Sequence, residues 1–343
     1  MAADEAIDQP KLEDWFAREI DGATPPLAFD RISGGRSNLT YGVTDSAGRC
    51  WALRRPPLGK RLASAHDMAR EHRILAALGP TEVPVPPVVA LCEDDSVNGA
   101  PFYVMEFVDG PILRTRQEAE AAFEAGDRQL IGERVVDTLV DIHAVDPEEI
   151  GLGDLAKRED YVARQLHRWQ GQWEKSKTRQ VPLVDDVHDR LARRIPEQGP
   201  ATIVHGDYRL DNMILSPTGE IAAVVDWELC TLGDPLADVG MLLMYWSEPG
   251  DELMPLFDPP TTAAGFPNRD LVRSRYAERS GRDLAEIDYY VALACWKLAI
   301  ILEGVFSRYA AGQYGTDAGA YEQFGEVVVR LAEGADEAER RLG

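Results

Sequence analysis

The spacing of apolar and polar residues changes near residue 110 of the chain. Before that point, short apolar segments with strand character are separated by turn residues. The predicted strands are RISGG, LTYGVTD, RCWALRR, VVALCE and PFYVMEFV. After that point apolar residues recur at helical spacing, as in LIGERVVDTLVDIHAV. The pattern predicts an α+β chain, with a small sheet-rich lobe over residues 1–108, a hinge near 106–110 and a larger helical lobe over 111–343.

Helices are predicted in both lobes. In the first lobe, one helix covers about 10–20, and a second begins at a capping pattern at 64–67 and ends at Gly79 and Pro80. The stretch 202–227 interrupts the helical pattern with short apolar runs and predicts a hairpin. We expect a cleft between the lobes. Further helices are predicted near 158–176, 183–195, 234–247, 268–280, 285–310 and 317–341.

Composition narrows the range of functions. The chain has 343 residues, 45% hydrophobic and 28% charged, as in an ordinary globular protein. Its formal charge is 36 − 59 = −23. Such an acidic chain repels phosphate backbones, which argues against a nucleic-acid partner, whereas a cationic substrate is compatible with it.

Cellular location is inferred from three features. The four cysteines are scattered and lack metal-site spacing, so they are expected to be buried reduced thiols. The N-terminus is acidic and has no apolar signal region. The long apolar run over 289–306 contains Lys297 and Glu303, which favours a core helix over a bilayer span. We therefore expect a cytoplasmic protein without a membrane partner, and the oligomeric state stays open.

The hairpin region holds the candidate chemistry. Strands folded back about the turn at 216–219 would bring Asn212 and Asp226 within about 10 Å of each other. Their amide and carboxylate oxygens suit Mg²⁺ shared with phosphates, and Asp207 nearby could align a hydroxyl. The alternative is that these residues are ordinary turn formers that bond their own backbone.

The order of these residues resembles a known signature. HGDYRLDN followed by VVDW and GDPLAD resembles the Brenner-type motif of aminoglycoside phosphotransferases, choline kinases and their relatives. LRRPP, SAHDMAREHRIL and FYVMEFVDG most resemble the branch associated with acyl-CoA dehydrogenases. The resemblance covers essentially the whole chain. It implies a protein-kinase-like fold with a small antiparallel-sheet N-lobe and a mainly helical C-lobe.

The resemblance implies roles for the residues of the motif. Asp207 would be the catalytic residue that orients or deprotonates the acceptor hydroxyl. Asn212 and Asp226 would hold the Mg²⁺ ions that bridge the ATP phosphates. His205 would brace the catalytic loop, and Asp238 would tie the next helix to that loop.

Alternative roles are open for the other charged residues near the motif. Arg209 and Asp211 are expected to organise the loop or to face solvent. Asp234, before Pro235, reads locally as a helix N-cap. Glu228 could touch a metal-bound water or substrate, or lie on the surface.

The N-terminal lobe would supply the nucleotide side. A glycine-rich turn between two strands can bring backbone N–H groups against phosphates, although such a turn is often only a tight turn. The residues implied are Gly34, Gly35, Ser37 and Asn38.

A cation and a hinge complete the implied nucleotide site. The family's strand lysine falls at Arg54, which keeps the charge but not the shape, and Glu71 would pair with it. Because neighbouring strand residues face opposite sides, Arg54 and Arg55 cannot both serve. A helix-surface ion pair is the alternative for Glu71. The hinge groups facing adenine would come from Met105, Glu106 and Val108.

No sequence motif identifies the residues that would bind the acceptor. No dense acidic cluster like that of typical aminoglycoside enzymes occurs between 285 and 310. Lys297 and Glu303 must each be paired or face the cleft, since they interrupt an apolar helix. The candidates are Trp246, Trp296, Lys297, Glu303 and Arg308.

Three functions follow from these observations. The first is an ATP- and Mg²⁺-dependent kinase for a small-molecule hydroxyl, such as a hydroxyacyl-CoA. The second is a nucleotide-binding pseudokinase, suggested by Arg54. The third is a role in acyl-CoA oxidation, but the two kinase-like lobes leave no room for a flavin domain of its own.

Overall fold

The computed structural model describes residues 6–32, 38–58, 67–253, 258–310 and 321–342. The chain divides into two units. Unit 1 contains Met1–Gly110, Ile150–Leu152 and Ala222–Leu229, and unit 2 contains the remaining residues. The segment Ala222–Leu229, which includes Asp226, therefore packs with the N-terminal part of the chain.

Unit 1 is built on an antiparallel sheet of five strands, in the order β1-β2-β3-β5-β4. Strand β3 lies at its centre and pairs with β2 and β5. Five of the six residues of β3 are buried, as expected of a central strand. The strands are β1 (Ala28–Arg31), β2 (Leu39–Thr44), β3 (Cys50–Arg55), β4 (Val88–Cys92) and β5 (Phe102–Glu106).

Three helices belong to unit 1: α1 (Gln9–Glu19), α2 (Met68–Leu78) and α3 (Asp95–Asn98). Helix α1 places Trp15 and Phe16 against the sheet, where Trp15 meets Phe102 edge to face with ring centroids 4.8 Å apart. Helix α2 begins where its capping pattern predicts, because the Asp67 side chain accepts the Arg70 N–H.

Two predictions for unit 1 need correction. For the predicted strand RISGG, β1 ends at Arg31 and Ile32 lies outside it, while residues 33–35 are not among the described residues. The strand begins upstream, at Ala28, and its four residues, including Arg31, pair with β2. The prediction of four buried thiols is wrong for Cys50, which is exposed, while the other three cysteines are buried and all four are free.

Unit 2 is mainly helical in its described residues. Its helices are α4 (Arg116–Ala122), α5 (Ala125–Ala144), α6 (Tyr161–Ser176), α7 (Pro182–Arg193), α8 (Leu236–Tyr245), α9 (Arg269–Ser280), α10 (Ile287–Ala310) and α11 (Tyr321–Arg340). Its short strands are β6 (Thr202–Val204), β7 (Met213–Leu215) and β9 (Thr231–Gly233). Strand β8 (Ile221–Val224) also lies between α7 and α8 in the chain, but all of it except Ile221 belongs to unit 1. β6 pairs with β9, and β7 and β8 flank the predicted turn, where Gly219 N–H donates to the Ser216 carbonyl at 2.9 Å.

Helix α10 is the long apolar segment of the sequence. Over Ile287–Tyr309 it is long and apolar enough to cross a bilayer, but 61% of that window is buried inside the fold. Both of its central charges have partners in unit 2: Glu303 accepts from Arg179, and Lys297 donates to the Gly206 carbonyl. A buried core helix has these properties.

Candidate active site

The loop that follows β6 is held by a buried carboxylate. The side chain of Asp238, in the first turn of α8, is 1% exposed. It accepts the backbone N–H of His205 at 2.6 Å and that of Gly206 at 2.8 Å. A carboxylate that receives two N–H donors fixes the backbone on which Asp207 stands. The predicted link between Asp238 and the loop is present.

Inside this loop, Asp207 is oriented by its neighbours. Its backbone N–H donates to His205 Nδ1 at 3.3 Å. The Asn212 amide nitrogen donates to the Asp207 carbonyl oxygen at 2.9 Å and to its carboxylate Oδ2 at 3.1 Å. His205 is fully buried, in agreement with its predicted bracing role. With the amide nitrogen of Asn212 engaged on Asp207, Oδ1 is the atom that Asn212 could offer to a cation.

Arg209 organises the outer side of the loop. Its guanidinium lies 3.4 Å from the Asp207 carboxylate and 3.1 Å from that of Asp211. It also covers the Tyr245 ring, 4.8 Å from the centroid. Burial raises the pKa of Asp211, although Arg209 opposes the rise. Of the two predicted roles for Arg209 and Asp211, the structure supports the loop-organising one.

Buried polar groups on other helices support Asp238, and the sequence patterns did not identify them. His143 of α5 lies with Nε2 3.4 Å from Asp238 and Nδ1 2.8 Å from the Tyr276 hydroxyl. Burial lowers the pKa of His143, opposed by Asp238. Beside them, the Tyr290 hydroxyl donates to Asp234 at 2.7 Å. The LVDIH segment contains His143, but nothing local to it indicates a partner 95 residues away.

In unit 1 the central feature is Arg54, whose side chain is 10% exposed. Its Nε lies 3.0 and 3.1 Å from the two carboxylate oxygens of Glu71. One terminal nitrogen donates to Thr40 Oγ1 at 3.3 Å and the other to the Asp226 carboxylate. The surface ion pair considered for Glu71 is wrong, because Glu71 is 2% exposed and faces Arg54.

The charged side chains around Arg54 shift one another's pKa values. Burial acts to lower the pKa of Arg54, but Glu71 and Asp226 outweigh it and raise that pKa. Burial raises the pKa of Glu71, opposed by Arg54. Arg55, one position along, points away and donates to the Asn98 carbonyl at 3.0 Å, as alternation in a strand requires. Arg54 is therefore the cation of this site.

Asp226 has an unusual backbone. Its φ of 69° lies in the left-handed region, where non-glycine residues are uncommon and often functional. Next to it, Glu228 lies 3.8 Å from the Arg54 guanidinium and accepts from the Asn38 amide at 2.9 Å. Glu228 is thus a partly buried partner of Asn38 and Arg54, which argues against an isolated surface position.

The predicted adenine hinge lies at the end of β5. Met105 is buried and pairs with Ala52 in β3. The Glu106 N–H donates to the Pro87 carbonyl at 2.8 Å, so its carbonyl is the group that Glu106 could present to a base. Val108 follows the strand. The predicted phosphate-turn residues Gly34, Gly35 and Ser37 lie outside the described residues.

Of the acceptor candidates, two tryptophans are core residues. Trp246 and Trp296 are 1% and 0% exposed, and their indole N–H groups donate to the carbonyls of Pro267 and Val184. A small molecule could not reach them, so that expectation is corrected. Glu303 is also fully buried and is held by Thr178 and Arg179, as expected of a structural pair. Arg308 lies in the last turn of α10.

Lys297 differs from the two tryptophans and from Glu303 because it is only partly buried. Its Nζ donates to the Gly206 carbonyl at 3.1 Å and lies 5.5 Å from the Trp169 ring centroid. Burial lowers the pKa of Lys297, while Asp207 and Asp238 act in the opposite direction. Lys297 is therefore a cation placed against the loop that carries Asp207.

The donor groups are compatible with a divalent cation. Around Arg54, three carboxylates and one guanidinium give 1 − 3 = −2 when all are ionised, a charge that a divalent ion would offset. Asn212 and Asp226 provide hard oxygen donors, the kind that Mg²⁺ prefers. No cluster of three His, Cys, Asp or Glu residues suited to a metal occurs in the described residues.

Comparison with known proteins relates this fold to phosphotransferases. The model of the phosphotransferase enzyme family matches residues 29–288. A protein of Ralstonia eutropha JMP134, provisionally called an aminoglycoside phosphotransferase, is 33% identical, with a TM-score of 0.82 over 97% of this chain and 98% of that one. Choline kinase of Cryptosporidium parvum shares the fold, with a TM-score of 0.66, 14% identity and coverage of 97% and 98%. The predicted kinase-like α+β fold is confirmed.

A curated relative extends beyond this chain. Acyl-CoA dehydrogenase family member 10 of Mus musculus is 35% identical over 335 residues, which are 96% of this chain and 31% of that protein. The chain spans less than half the length of the curated relatives it matches. The predicted resemblance to the branch associated with acyl-CoA dehydrogenases is confirmed.

Proposed function

Because this chain belongs to the phosphotransferase enzyme family, we propose that it is an ATP- and Mg²⁺-dependent kinase acting on a small-molecule hydroxyl. One observation carries the proposal. Asn212 donates to the carboxylate of Asp207 while Asp238 fixes the two residues before it. A carboxylate held in one orientation on a fixed backbone is what alignment of an attacking hydroxyl requires.

Asp207 has the central role in the proposed step. It accepts the proton of the acceptor hydroxyl as the hydroxyl oxygen bonds to the γ-phosphorus of ATP. The bond from that phosphorus to the β–γ bridging oxygen breaks, and ADP leaves with the electron pair. Asn212 and Arg209 hold the carboxylate, which reduces the reorganisation that the step needs.

The nucleotide side is assigned to unit 1 and Asn212. Arg54 would face the phosphates, with Glu71 keeping its guanidinium in place. Asn212 Oδ1 and the Asp226 carboxylate would hold Mg²⁺, which offsets phosphate charge when bound. The carbonyl of Glu106 and the backbone of Val108 would bind the adenine, against Met105. Gly34, Gly35, Ser37 and Asn38 would cover the phosphates.

For the acceptor, we favour a hydroxylated acyl-CoA or a similar hydroxylated acid over an aminoglycoside. The support is the similarity to a protein named acyl-CoA dehydrogenase family member 10, which matches this chain along 31% of its own length. The acidic cluster typical of amine acceptors is absent from the sequence between 285 and 310.

A second candidate is a nucleotide-binding protein without transfer activity. The observation that favours it is the direct contact of Arg54 with Asp226. A cation bound to the carboxylate that should hold the metal would compete with that metal for the same oxygen.

The test is ADP release from Mg-ATP with a panel of hydroxylated metabolites that includes hydroxyacyl-CoAs and aminoglycosides. Acceptor-dependent ADP release, with a phosphorylated product in the mass spectrum, is the expected result. Calorimetric titration of ATP with and without Mg²⁺, together with the transfer assay, distinguishes the second candidate from a kinase. Metal-dependent binding without any transferred phosphate would favour it over the kinase.

A further inference from the structure

Lys297 contacts the loop that carries Asp207. It is the one lysine of a 24-residue helix that is otherwise mostly apolar, and its Nζ reaches the carbonyl of Gly206, next to Asp207. An ammonium group has three N–H donors, and the bond to Gly206 uses one of them. The others are available to a further oxygen atom.

A small cavity lies in front of this ammonium group. Its volume is about 20 Å³, room for one water-sized group. Its lining includes the apolar Met241 and Leu293 together with Trp169, Gln165 and Lys297. A small polar group of a ligand, such as a single oxygen atom, could replace such a water.

Lys297 places one positive charge beside two carboxylates, those of Asp207 and Asp238. The net charge is −23, yet the side chain that contacts the Gly206 carbonyl is a cation. Its position beside the Trp169 ring stabilises the positive form further. A fixed ammonium repels an amine and attracts a carboxylate or carbonyl oxygen.

We propose that Lys297 is a specificity-determining residue that binds a carboxylate or carbonyl oxygen of the acceptor, and that the acceptor is consequently a hydroxylated acid or acyl derivative. This inference rests on the proposed kinase function. It assigns two groups of one acceptor to adjacent protein groups: the hydroxyl to Asp207 and the acyl oxygen to Lys297.

A purely structural role would have a different consequence. If Lys297 only held the Gly206 carbonyl, its removal would disturb Asp207 for every acceptor to the same extent. If it also binds the acceptor, its removal would affect those acceptors that carry an acyl oxygen more than the others. A matched series of acceptors distinguishes the two roles.

The experiment compares 3-hydroxybutyrate, its CoA thioester and butane-1,3-diol as acceptors for the wild type, Lys297→Met and Lys297→Arg. Lys177→Met is the control, since Lys177 also lies over a tryptophan ring, Trp173, but pairs with Glu174 at 2.8 Å. Circular dichroism and thermal melting establish that each variant is folded. Steady-state kinetics give kcat and KM for each acceptor and for ATP.

For Lys297→Met we expect kcat/KM to fall on the order of 10- to 100-fold for the acid and the thioester, the loss of a charged hydrogen bond. The fall for the diol, which reflects only the lost bond to the Gly206 carbonyl, should be at least about fivefold smaller than the fall for the acid. The KM for ATP should change less than about threefold. Lys297→Arg should recover part of the loss, and Lys177→Met should match the wild type.

Three results would overturn the inference. The first is an equal fall for all three acceptors, which would leave Lys297 a role in holding the loop alone. The second is a wild type that uses the diol as well as the acid. The third is transfer to other hydroxyl compounds of the broad panel but not to the acid or thioester. In the last two cases the proposed kinase function stands and only the role of Lys297 is wrong. Absence of transfer to any hydroxyl compound would count against the kinase function and against the role of Lys297.

Discussion

Asp238 receives the backbone N–H of Gly206 at 2.8 Å, so the residue before Asp207 is held by a buried carboxylate of another helix. The same carboxylate also receives the His205 N–H. Replacing Asp238 with Ala would leave two buried N–H groups without their acceptor. The position of Asp207 therefore depends on a residue that need not contact substrate.

For Asp238→Ala we expect the free energy of unfolding to fall by about 3–5 kcal/mol, since buried polar partners are lost. Urea denaturation measures this change. Asp189→Ala is the control, because the Asp189 side chain is 63% exposed, and its effect should stay within about 0.5 kcal/mol. Similar unfolding free energies for the two variants would contradict the role of Asp238.

Arg54 and Glu71 provide a test of a buried ion pair. Arg54→Met leaves the Glu71 carboxylate buried without its cation, and we expect a loss of about 3–5 kcal/mol in the free energy of unfolding. Glu71→Gln added to this variant removes the uncompensated charge and should recover part of the loss. A double-mutant cycle from urea unfolding measures the coupling, expected at about 1–3 kcal/mol. Strictly additive effects would show that the pair is not coupled.

The adjacent Tyr289 and Tyr290 form a matched pair. The Tyr290 hydroxyl donates to the carboxylate of Asp234 at 2.7 Å, whereas that of Tyr289 donates to the Leu191 carbonyl at 3.0 Å. Hydrogen bonds to carboxylates contribute more to folding stability than bonds to carbonyls. We therefore expect Tyr290→Phe to lower the free energy of unfolding by roughly 1.5–3 kcal/mol and Tyr289→Phe to lower it by roughly 0.5–1.5 kcal/mol. Urea unfolding and thermal melting of the two variants measure these losses of stability. The reverse order would contradict the stronger contribution expected of the bond from Tyr290 to Asp234.

His143 should make stability depend on pH. Burial lowers its pKa below the ordinary value of 6.5, so near that pH the unfolded chain binds more protons than the folded one. The stabilisation is therefore present above pH 6.5 and decreases as the pH falls through the lower pKa of the folded state. The expected result is a lower free energy of unfolding at pH 5.5 than at pH 7.5.

His143→Gln isolates this contribution, since glutamine does not titrate. Its unfolding free energy should be lower than that of the wild type at pH 7.5, because the bond to Tyr276 is altered, but it should change less between the two pH values. Urea unfolding at both values measures the difference. An equal pH dependence in the variant and the wild type would exclude His143 as its source.

Much of the fold could be predicted from residue spacing. The change from strand to helical periodicity, the Asp67 cap and the turn at 216–219 all depend on neighbouring residues, whose preferences are visible locally. The limits of β1 were predicted wrongly, because Ala28, Phe29 and Asp30 belong to the strand and the predicted segment began only at Arg31.

The candidate site was less predictable where partners are distant in sequence. Asp207 and Asn212 are five residues apart, and their contact follows from the local loop. The support of Asp238 by His143 spans 95 residues, and the contact of Lys297 with Gly206 spans 91. Sequence indicated that Lys297 needed a partner, because charge on an apolar helix is costly, but only the packing of helices identifies the partner.

The most direct test of the proposed kinase is Asp207→Asn. The asparagine oxygen can still accept from the Asn212 amide, so the loop should keep its structure, but it cannot accept the hydroxyl proton. We predict that kcat for phosphate transfer falls at least about 100-fold, the contribution of a general base, while the calorimetric affinity for Mg-ATP stays nearly unchanged. Transfer at the wild-type rate by a folded Asp207→Asn variant would contradict the account.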